Sequence, residues 1–250
     1  MFASLRSRVA FVTGGGSGIG AATSLMFASQ GVKVAVVDVN HEDAEGISQR
    51  IERLGGEAIA IAADISKPEQ VQSAVLKTVE KFHRLDIAVN NAGIGGDQAE
   101  TSDLAVDSWR RVNSINLDGV FYCMKYEIPE MLKNGGGSII NISSILGQVG
   151  FARASAYVAA KHGVVGLTQA AAIEYGPRKI RVNAVGPGFI RTPILSGLSE
   201  EMLKSMAQLH ALKRIGEPDE VAALITFLAS SEASFITGSY YAVDGGYLAS

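Results

Sequence analysis

Tyr157 and Lys161 stand four residues apart in the alanine-rich run SAYVAAKHG, residues 155–163. Alanine is the strongest helix former, so this run is predicted to be helical. Residues i and i+4 of a helix share one face, which places the phenol beside the ammonium. Such a pair is either a surface contact without function or a tyrosine whose proton is meant to leave.

The second interpretation has a clear chemical use. A free tyrosine has a pKa of about 10 and is mostly protonated at neutral pH. Lowering that pKa to about 7 requires about 4 kcal/mol of extra stabilisation of the phenolate. An ammonium a few ångströms away in a partly dry cleft can supply energy of that order. The pair is therefore predicted to handle the proton of an alcohol or a ketone.

The elements that must position this pair alternate along the chain. Strands are predicted at 8–13, 32–39, 57–64, 85–91, 137–144, 181–188 and 239–246. Helices are predicted at 18–30, 41–55, 68–82, about 107–133, 153–176 and 218–230. The strands read as continuous Val, Ile and Ala runs, which is typical of a parallel sheet covered on both faces.

Alternating strands and helices predict an α/β fold with a doubly wound sheet. We expect a single Rossmann-type domain over 1–250, with seven parallel strands and helices on both faces. Residues 189–217 have a helical pattern without a strand, and they are predicted to be an insertion over the carboxyl edge of the sheet.

A glycine-rich loop, TGGGSGIG at 13–20, follows the first predicted strand and opens a helix. Glycines let the backbone turn tightly and approach a ligand, and a helix N-terminus offers free N–H groups to an anion. The loop is therefore predicted to bind a pyrophosphate. Its spacing differs from the usual GxGxxG, although Gly16, Gly18 and Ala21 fit a looser form. A merely tight strand-to-helix turn is the alternative.

Asp38 lies near the end of the second predicted strand. An acidic residue at this place can accept the ribose hydroxyls of an adenosine, and its charge repels a 2′-phosphate. No basic residue follows it, since Val39 and Asn40 come next. The sequence therefore predicts NAD, with NADP less favoured, and a solvated surface aspartate is the alternative.

Composition narrows the class of protein. The chain has 250 residues, 47% hydrophobic and 19% charged, with a net charge of −3. The absence of a basic excess argues against a nucleic-acid partner. A single cysteine, Cys123, with no signal peptide predicts a cytoplasmic protein. The apolar runs are shorter than the ~18 residues of a membrane span. The four histidines lack ligand spacing, so no metal is predicted.

Three motifs, TGGGSGIG, NNAG at 90–93 and YVAAK at 157–161, resemble the short-chain dehydrogenase/reductase family, of the NAD-preferring alcohol dehydrogenase or ketone reductase type. The resemblance spans essentially the whole chain, as far as VDGG at 243–246. It implies an assembly of subunits, usually a homotetramer. It also implies a catalytic tetrad of Asn116, Ser144, Tyr157 and Lys161.

The resemblance assigns a role to each member of the tetrad. Tyr157 would be the general acid or base, and Lys161 would lower its pKa and bind the nicotinamide ribose. Ser144 would hold the substrate oxygen. Adjacent strand side chains point to opposite faces, so either Ser143 or Ser144 should reach the cleft, and the resemblance favours Ser144. The carbonyl of Asn116 would hold a water linking Lys161 to solvent; a surface position is the alternative.

The resemblance also implies a set of contacts to the dinucleotide. The predicted cofactor-binding residues are Gly14, Ser17, Gly18, Ile19 and Gly20 at the pyrophosphate, Asp38 at the adenosine ribose, Asp64 and Ile65 at the adenine, Asn90, Ala92 and Gly93 beside the central sheet, Tyr157 and Lys161 at the nicotinamide ribose, and Pro187, Gly188, Ile190 and Thr192 at the nicotinamide.

Three segments, 94–98, 145–154 and 189–213, are expected to wall the substrate site. Their side chains are mostly apolar, among them Ile145, Leu146, Val149, Phe151, Ile194, Leu195, Leu198, Met202 and Met206, with Gln148 and Arg153 as polar exceptions. An apolar pocket suits a hydrophobic secondary alcohol or ketone.

We therefore predict hydride transfer between NAD(H) and a secondary alcohol or ketone. One alternative is a 3-oxoacyl-thioester reductase, which would prefer NADPH and need a basic dock such as Arg110, Arg111 and Lys133. A non-catalytic nucleotide-sensing protein on the same fold is the alternative of another class.

Overall fold

The computed structural model of the chain describes residues 2–249. It contains a seven-stranded, all-parallel sheet in the order β3-β2-β1-β4-β5-β6-β7. The strands are β1 Val9–Thr13, β2 Lys33–Asp38, β3 Ala58–Ala62, β4 Ile87–Asn90, β5 Gly137–Ile142, β6 Ile180–Pro187 and β7 Tyr240–Val243. The predicted fold class is confirmed.

Helices connect the strands. They are α1 Gly18–Ser29, α2 His41–Arg53, α3 Pro68–Phe82, α4 Val106–Asn113, α5 Gly119–Lys133, α6 Ser155–Tyr175, α7 Glu200–Leu209 and α8 Pro218–Ala229. The region predicted as one helix over 107–133 is interrupted by a π-helical turn at Ser114–Asp118. No helix within residues 2–249 has the length and apolarity that crossing a membrane requires.

Both faces of the sheet are covered, as the continuous apolar strands predict. All five residues of β1 are buried. Ala10 and Val12 pack into a core layer shared with α1, α2 and α8. Phe11 points the other way, into a layer shared with α3, α5 and α6. Because side chains alternate along a strand, a strand covered on both sides has no side that faces water.

Local sequence signals explain where several helices begin. The Asn40 side chain accepts a hydrogen bond from the Glu42 N–H and caps α2. Glu217 and Glu220 form a capping box at the start of α8, where Pro218 occupies the first turn. These caps satisfy N–H groups that would otherwise have no partner in the helix.

The segment 189–217 has the predicted helical character. It contains a short 3₁₀ turn at Pro193–Leu195 and then α7, whose Ser199 side chain accepts from the Met202 N–H. A single parallel bridge between Ile190 and Gly216 closes its base.

Most predicted ends of strands and helices differ from the observed ends by one to three residues, and the end of the last strand differs for a clear reason. The last strand, β7, ends at Val243 rather than at residue 246. Gly245 and Gly246 have φ values of 55° and 82°, outside the extended region, so the chain turns there instead of continuing the strand.

The order of the strands reverses beside β1, since β2 lies on one side of it and β4 on the other. In open parallel sheets such a reversal leaves a crevice beyond the carboxyl ends of the strands. The glycine loop leaves β1 at this crevice, and residues 91–96 leave β4 there. The fold therefore brings the two motifs to one place.

A buried polar cluster lies beneath β4 and β5. Asn90 Nδ2 donates to Asn141 Oδ1 at 2.9 Å and to Glu127 Oε2 at 3.2 Å. Asn141 Nδ2 donates to Thr168 Oγ1 at 2.9 Å, which joins α6 to the cluster. Glu127 is fully buried, and burial raises the pKa of its carboxyl to about 8. The burial of this carboxyl group therefore favours its neutral form at neutral pH.

Glu127 makes stability depend on pH. Its folded-state pKa of about 8 lies above the ordinary value of 4.5. The stability that Glu127 contributes to the folded state is therefore fully present below about pH 4.5, and it is lost as the pH rises to about 8. The Glu127→Gln variant cannot lose stability in this way. Between about pH 5 and pH 9, the difference in free energy of unfolding between the variant and the wild type should therefore shift by a few kcal/mol in favour of the variant. Urea unfolding at both pH values measures the difference.

Glu80→Gln, on the exposed side of α3, is the matched control and should follow the wild type. A difference between Glu127→Gln and wild type that does not change with pH would show that the buried carboxyl does not titrate as described.

Candidate active site

Lys161 ties α6 to the end of β5. Its Nζ donates to the Ile142 carbonyl at 2.9 Å, and its own carbonyl accepts from Ser143 Oγ at 2.9 Å. The side chain is only 3% exposed. Tyr157 lies one turn earlier on the same face, with its ring centroid 5.5 Å from Lys161 Nζ. The predicted shared face of the helix is confirmed.

The charge state of the pair depends on burial. Burial raises the pKa of Tyr157 above its ordinary value, and a hydrogen bond from Ser144 opposes this in part. Burial also lowers the pKa of Lys161 to about 8. The expected lowering of the Tyr157 pKa by Lys161 therefore stays a prediction, and burial outweighs Lys161 in setting that pKa. The physical reason is that the ammonium is itself costly to bury and donates to the Ile142 carbonyl.

Ser144 is oriented by its own main-chain neighbours. Its Oγ accepts from the Leu146 N–H at 3.1 Å at the start of a 3₁₀ turn over Ile145–Gly147. Because that bond uses a lone pair, the hydroxyl hydrogen stays available for Tyr157 or a substrate oxygen. Ser143 also borders the cleft, contrary to strict alternation, because the strand has ended, but its hydroxyl donates to Lys161.

Asn116 is fully buried, so the surface alternative is excluded. Its Oδ1 accepts from the Ile94 N–H and its Nδ2 donates to the Ile94 carbonyl, both at 2.8 Å. A Cβ placed on Gly93 would lie 3.1 Å from Asn116 Oδ1 and 3.6 Å from Lys161 Nζ. The glycine lets these residues converge, and the π-helical turn holds Asn116 at that point. A water on its carbonyl stays a prediction.

The glycine loop forms a close cradle. Gly14 and Gly18 have φ values of 60° and 50°, which favour glycine. A Cβ on Gly20 would lie 2.7 Å from Asn91 Nδ2, and that amide donates to the carbonyls of Thr13 and Gly14. α1 starts at Gly18, directly after Ser17, with Ile19 in its first turn. Free N–H groups at such an end fit a pyrophosphate.

Asp38 lies beside this cradle. Its Oδ2 accepts from the Gly16 N–H at 3.0 Å and its Oδ1 from the Asn40 N–H at 3.1 Å. A second carboxylate is close, because a Cβ on Gly16 would lie 2.7 Å from Asp43 Cβ. Two acidic side chains therefore border the place where an adenosine ribose would lie, and their charge fits ribose hydroxyls better than a 2′-phosphate.

The remaining residues predicted to bind the cofactor lie in different surroundings. Asp64 accepts from the Ser66 N–H at 2.9 Å, and Ile65 is buried against Gly119, so both follow β3 as expected. The Asn90 side chain points into the polar cluster, so only its main chain could face a dinucleotide. Ala92 donates its N–H to Thr13 Oγ1, which fixes its position.

Sequence reasoning missed two residues that join β1 to β4. Thr13 Oγ1 accepts from the main chain of Asn91, and the Asn91 amide closes on the glycine loop. Thr13 is the first residue of TGGGSGIG and Asn91 is the second of NNAG, so their membership of these motifs was the available signal.

The chain after β6 closes the other side of the cleft. Pro187, Gly188, Ile190 and Thr192 all line it, and their predicted contact with a nicotinamide stays a prediction. The Gly188 N–H donates to the Val243 carbonyl at 2.9 Å, and the Phe189 N–H donates to His210 Nε2 at 3.2 Å. His210 is buried, and no sequence pattern predicted this contact.

A cavity of about 290 Å³ opens above Tyr157. Its walls are mainly apolar, formed by Ile145, Leu146, Phe151, Phe189, Ile194, Leu195, Leu198 and Met206. Asp97, Gln98 and Arg153 add polar groups. Met202, predicted as a wall residue, is instead 46% exposed, and Gln148 and Val149 also lie outside the lining. Phe189 was missed.

Cys123 and His162 do not line the cavity. Cys123 is buried, and burial raises the pKa of its thiol. The His162 ring contacts the Val158 carbonyl of its own helix at 2.9 Å. Across residues 2–249, no group of three or more His, Cys, Asp or Glu side chains is arranged to hold a metal ion.

Comparison with known proteins identifies the family. A family model described as "Enoyl-(Acyl carrier protein) reductase" matches residues 14–248. A cyclohexanol dehydrogenase of Acinetobacter sp. (strain SE19) is 48% identical over 241 residues, covering 96% of this chain and 95% of the relative. The chain belongs to the short-chain dehydrogenase/reductase family. It is an oxidoreductase of the type that acts on CH–OH groups.

Two further members of this dehydrogenase/reductase family are close. A cis-4-hydroxycyclohexanecarboxylate dehydrogenase of Sinomonas cyclohexanicum is 43% identical, covering 97% of each chain. The crystal structure of carveol dehydrogenase from Mycobacterium avium in complex with NAD superposes with a TM-score of 0.96 at 30% identity. That match covers 99% of this chain and 100% of the other.

The glycine cradle yields a direct test. Gly20→Ala would place a methyl against Asn91 and the Gly14 carbonyl, so the loop must shift. We expect the dissociation constant for NAD to rise at least about tenfold, as expected for loss of one or more good hydrogen bonds. Isothermal titration calorimetry measures this.

Gly46→Ala is the matched control, because a Cβ there meets nothing within 4 Å. It should leave NAD binding unchanged and stabilise α2 by about 0.5–1 kcal/mol. Wild-type affinity in Gly20→Ala would show that the loop is not the pyrophosphate site.

Proposed function

We propose that this protein interconverts a ring-containing secondary alcohol and its ketone with NAD(H), using Tyr157 as the general acid and base. The observation that carries the proposal is the placement of Ser144, Tyr157 and Lys161 at the floor of an apolar cavity that adjoins the glycine cradle. The names of the cyclohexanol and cis-4-hydroxycyclohexanecarboxylate dehydrogenases support a cyclic substrate.

The preference for NAD rests on the acidic side chains beside the cradle. Asp38 is fixed at the end of β2 by two main-chain N–H groups, and Asp43 lies against Gly16. The next residue, Val39, is 74% exposed and carries no charge. A 2′-phosphate would meet two carboxylates, and neither Val39 nor Asn40 carries a charge that could compensate it. The NAD complex of carveol dehydrogenase supports this choice.

A bound dinucleotide would supply or accept the hydride. The chain's own residues handle the proton. In ketone reduction Tyr157 donates its phenolic proton to the carbonyl oxygen, while the Ser144 hydroxyl donates a hydrogen bond to the same atom. The raised pKa of Tyr157 keeps that proton in place at neutral pH.

Lys161 acts on the anion that Tyr157 becomes. Its ammonium, present below its pKa of about 8, lies close enough to stabilise a phenolate. In alcohol oxidation the same charge lowers the cost of using Tyr157 as a base. Lys161 would also hold the nicotinamide ribose, and Asn116 would support a water that returns the proton to solvent.

The cavity favours a compact apolar substrate. Most of the lining of the space above Tyr157 is apolar, and Asp97, Gln98 and Arg153 are among its polar groups. Burying a hydrocarbon ring against such walls is favourable at about 25 cal/mol per Å². A sugar or polyol would leave hydroxyl groups without partners there.

The 3-oxoacyl-thioester reductase alternative has two observations in its favour. One is the acyl-carrier description of the family model, and the other is a 3-oxoacyl-[acyl-carrier-protein] reductase of Thermotoga maritima that is 40% identical to this chain. The basic dock that it requires is weak. Arg110 pairs with Asp107 at 3.4 Å and Lys133 pairs with Glu130 at 2.7 Å. These cations are already compensated, and Asp38 disfavours NADPH. A purely nucleotide-sensing protein would not need Ser144 and Tyr157 in contact.

Initial rates decide between these reactions. We expect cyclohexanone to be reduced with NADH at least about tenfold faster than with NADPH, as expected for a charge contact worth over one kcal/mol. Acetoacetyl-coenzyme A and polyols serve as competing substrates. Turnover confined to NADPH and the thioester, or to polyols, would contradict the proposal.

Tyr157→Phe serves as the catalytic control in the same assay. Loss of the general acid should lower kcat by at least about 10²-fold while NAD affinity stays near that of the wild type. Tyr175→Phe, on the same helix α6, should retain full turnover. Activity that survives in Tyr157→Phe would show that another group moves the proton.

A further inference from the structure

The main-chain carbonyl of Ser144 accepts two hydrogen bonds. One comes from the Gly147 N–H at 2.8 Å and belongs to the local turn. The other comes from the Tyr240 hydroxyl at 2.9 Å. Ser144 follows β5 while Tyr240 lies in β7, so the phenol reaches across the intervening strand β6. Such a contact over two strand spacings requires a special arrangement in β6.

Gly186 provides that arrangement. Tyr240 lies opposite Ala184 of β6, and Gly186 lies opposite Ala242. A Cβ on Gly186 would overlap the Tyr240 hydroxyl and ring. The Tyr240 side chain therefore runs along β6 toward its carboxyl end and passes over the glycine. A residue with any side chain at position 186 would displace the ring.

The contact bears on the orientation of Ser144. The residue begins the 3₁₀ turn, and its Oγ is held by the Leu146 N–H within that turn. Fixing the Ser144 carbonyl therefore fixes the turn and the direction of the hydroxyl. Tyr240 itself lies behind Ser144 and is not in the lining of the cavity. Its effect on chemistry has to pass through Ser144.

We propose that Tyr240 is a positioning residue whose hydroxyl, passing over Gly186, holds the Ser144 carbonyl and aims the Ser144 hydroxyl at Tyr157 and the substrate oxygen. This inference rests on the proposed role of Ser144. Tyr240 is suited to a fixed donor role, since burial and the nearby Asp244 raise the pKa of its phenol. It keeps its proton throughout the working range of the enzyme.

Tyr240→Phe removes the hydroxyl oxygen and so tests the hydrogen bond from Tyr240 to the Ser144 carbonyl. Loss of a single hydrogen bond predicts a fall in kcat of about three- to tenfold, with the KM for NAD unchanged. Tyr241→Phe is the matched control, because Tyr241 packs on the opposite face of the sheet with the α8 layer. It should behave as the wild type. Equal kinetics for the two variants would overturn the proposal.

A double-mutant cycle shows whether the effect passes through Ser144. In a Ser144→Ala background, Tyr240→Phe should cause no further loss of kcat, because no hydroxyl remains to be aimed. The same fold-loss in both backgrounds would assign Tyr240 a general structural role and overturn the proposal.

A readout without turnover separates this inference from the proposed reaction. The hydrogen bond from Ser144 lowers the pKa of Tyr157, against the effect of burial. If the Ser144 hydroxyl is less well oriented in Tyr240→Phe, this hydrogen bond weakens and the pKa of Tyr157 should rise further. Tyr241→Phe should show no such rise. NMR of tyrosine labelled at ¹³Cζ measures the pKa in both variants. An unchanged Tyr157 pKa in Tyr240→Phe would overturn the proposed positioning role of Tyr240, whether or not any alcohol is oxidised.

Discussion

The reciprocal attachment of Lys161 to the end of β5 is the constraint on which the site depends. The side chain donates to the Ile142 carbonyl while the Lys161 carbonyl accepts from Ser143. Together these bonds fix both the rotation and the height of α6 against the sheet. Tyr157 and Ser144 meet only because the helix and the strand end are held in this register. The active site is thus a property of one helix–strand junction, to which the loops add walls.

Burial decides the electrostatics of that junction. It disfavours the phenolate of Tyr157 and the ammonium of Lys161 alike, so the resting pair keeps a neutral phenol beside a lysine of pKa about 8. The ionisations of the two groups are coupled, because the Lys161 ammonium is most stabilising when Tyr157 has lost its proton. In the proposed reaction, the Lys161 charge would therefore favour the moment of proton transfer more than the resting state.

Much of the fold was predictable because its signals are local. Strands buried on both faces are mostly apolar, a glycine loop opens a helix after β1, and residues 157 and 161 share a helical face by spacing alone. The contacts that escaped prediction are distant in sequence. Asn90 and Glu127, Asn116 and Ile94, and Tyr240 and Ser144 meet only after the strand order is set. The direction of the Tyr157 pKa shift also required burial, which spacing does not report.

The pH dependence of kcat/KM for ketone reduction tests the central claim most directly. The account requires the Lys161 charge to stabilise the Tyr157 anion as the proton leaves. It therefore predicts a constant kcat/KM at low pH and a decline above about pH 8, where Lys161 loses its charge. In Lys161→Arg, which keeps its charge, the decline should move to higher pH. A wild-type profile that stays flat to about pH 10, or a decline that Lys161→Arg leaves in place, would contradict it.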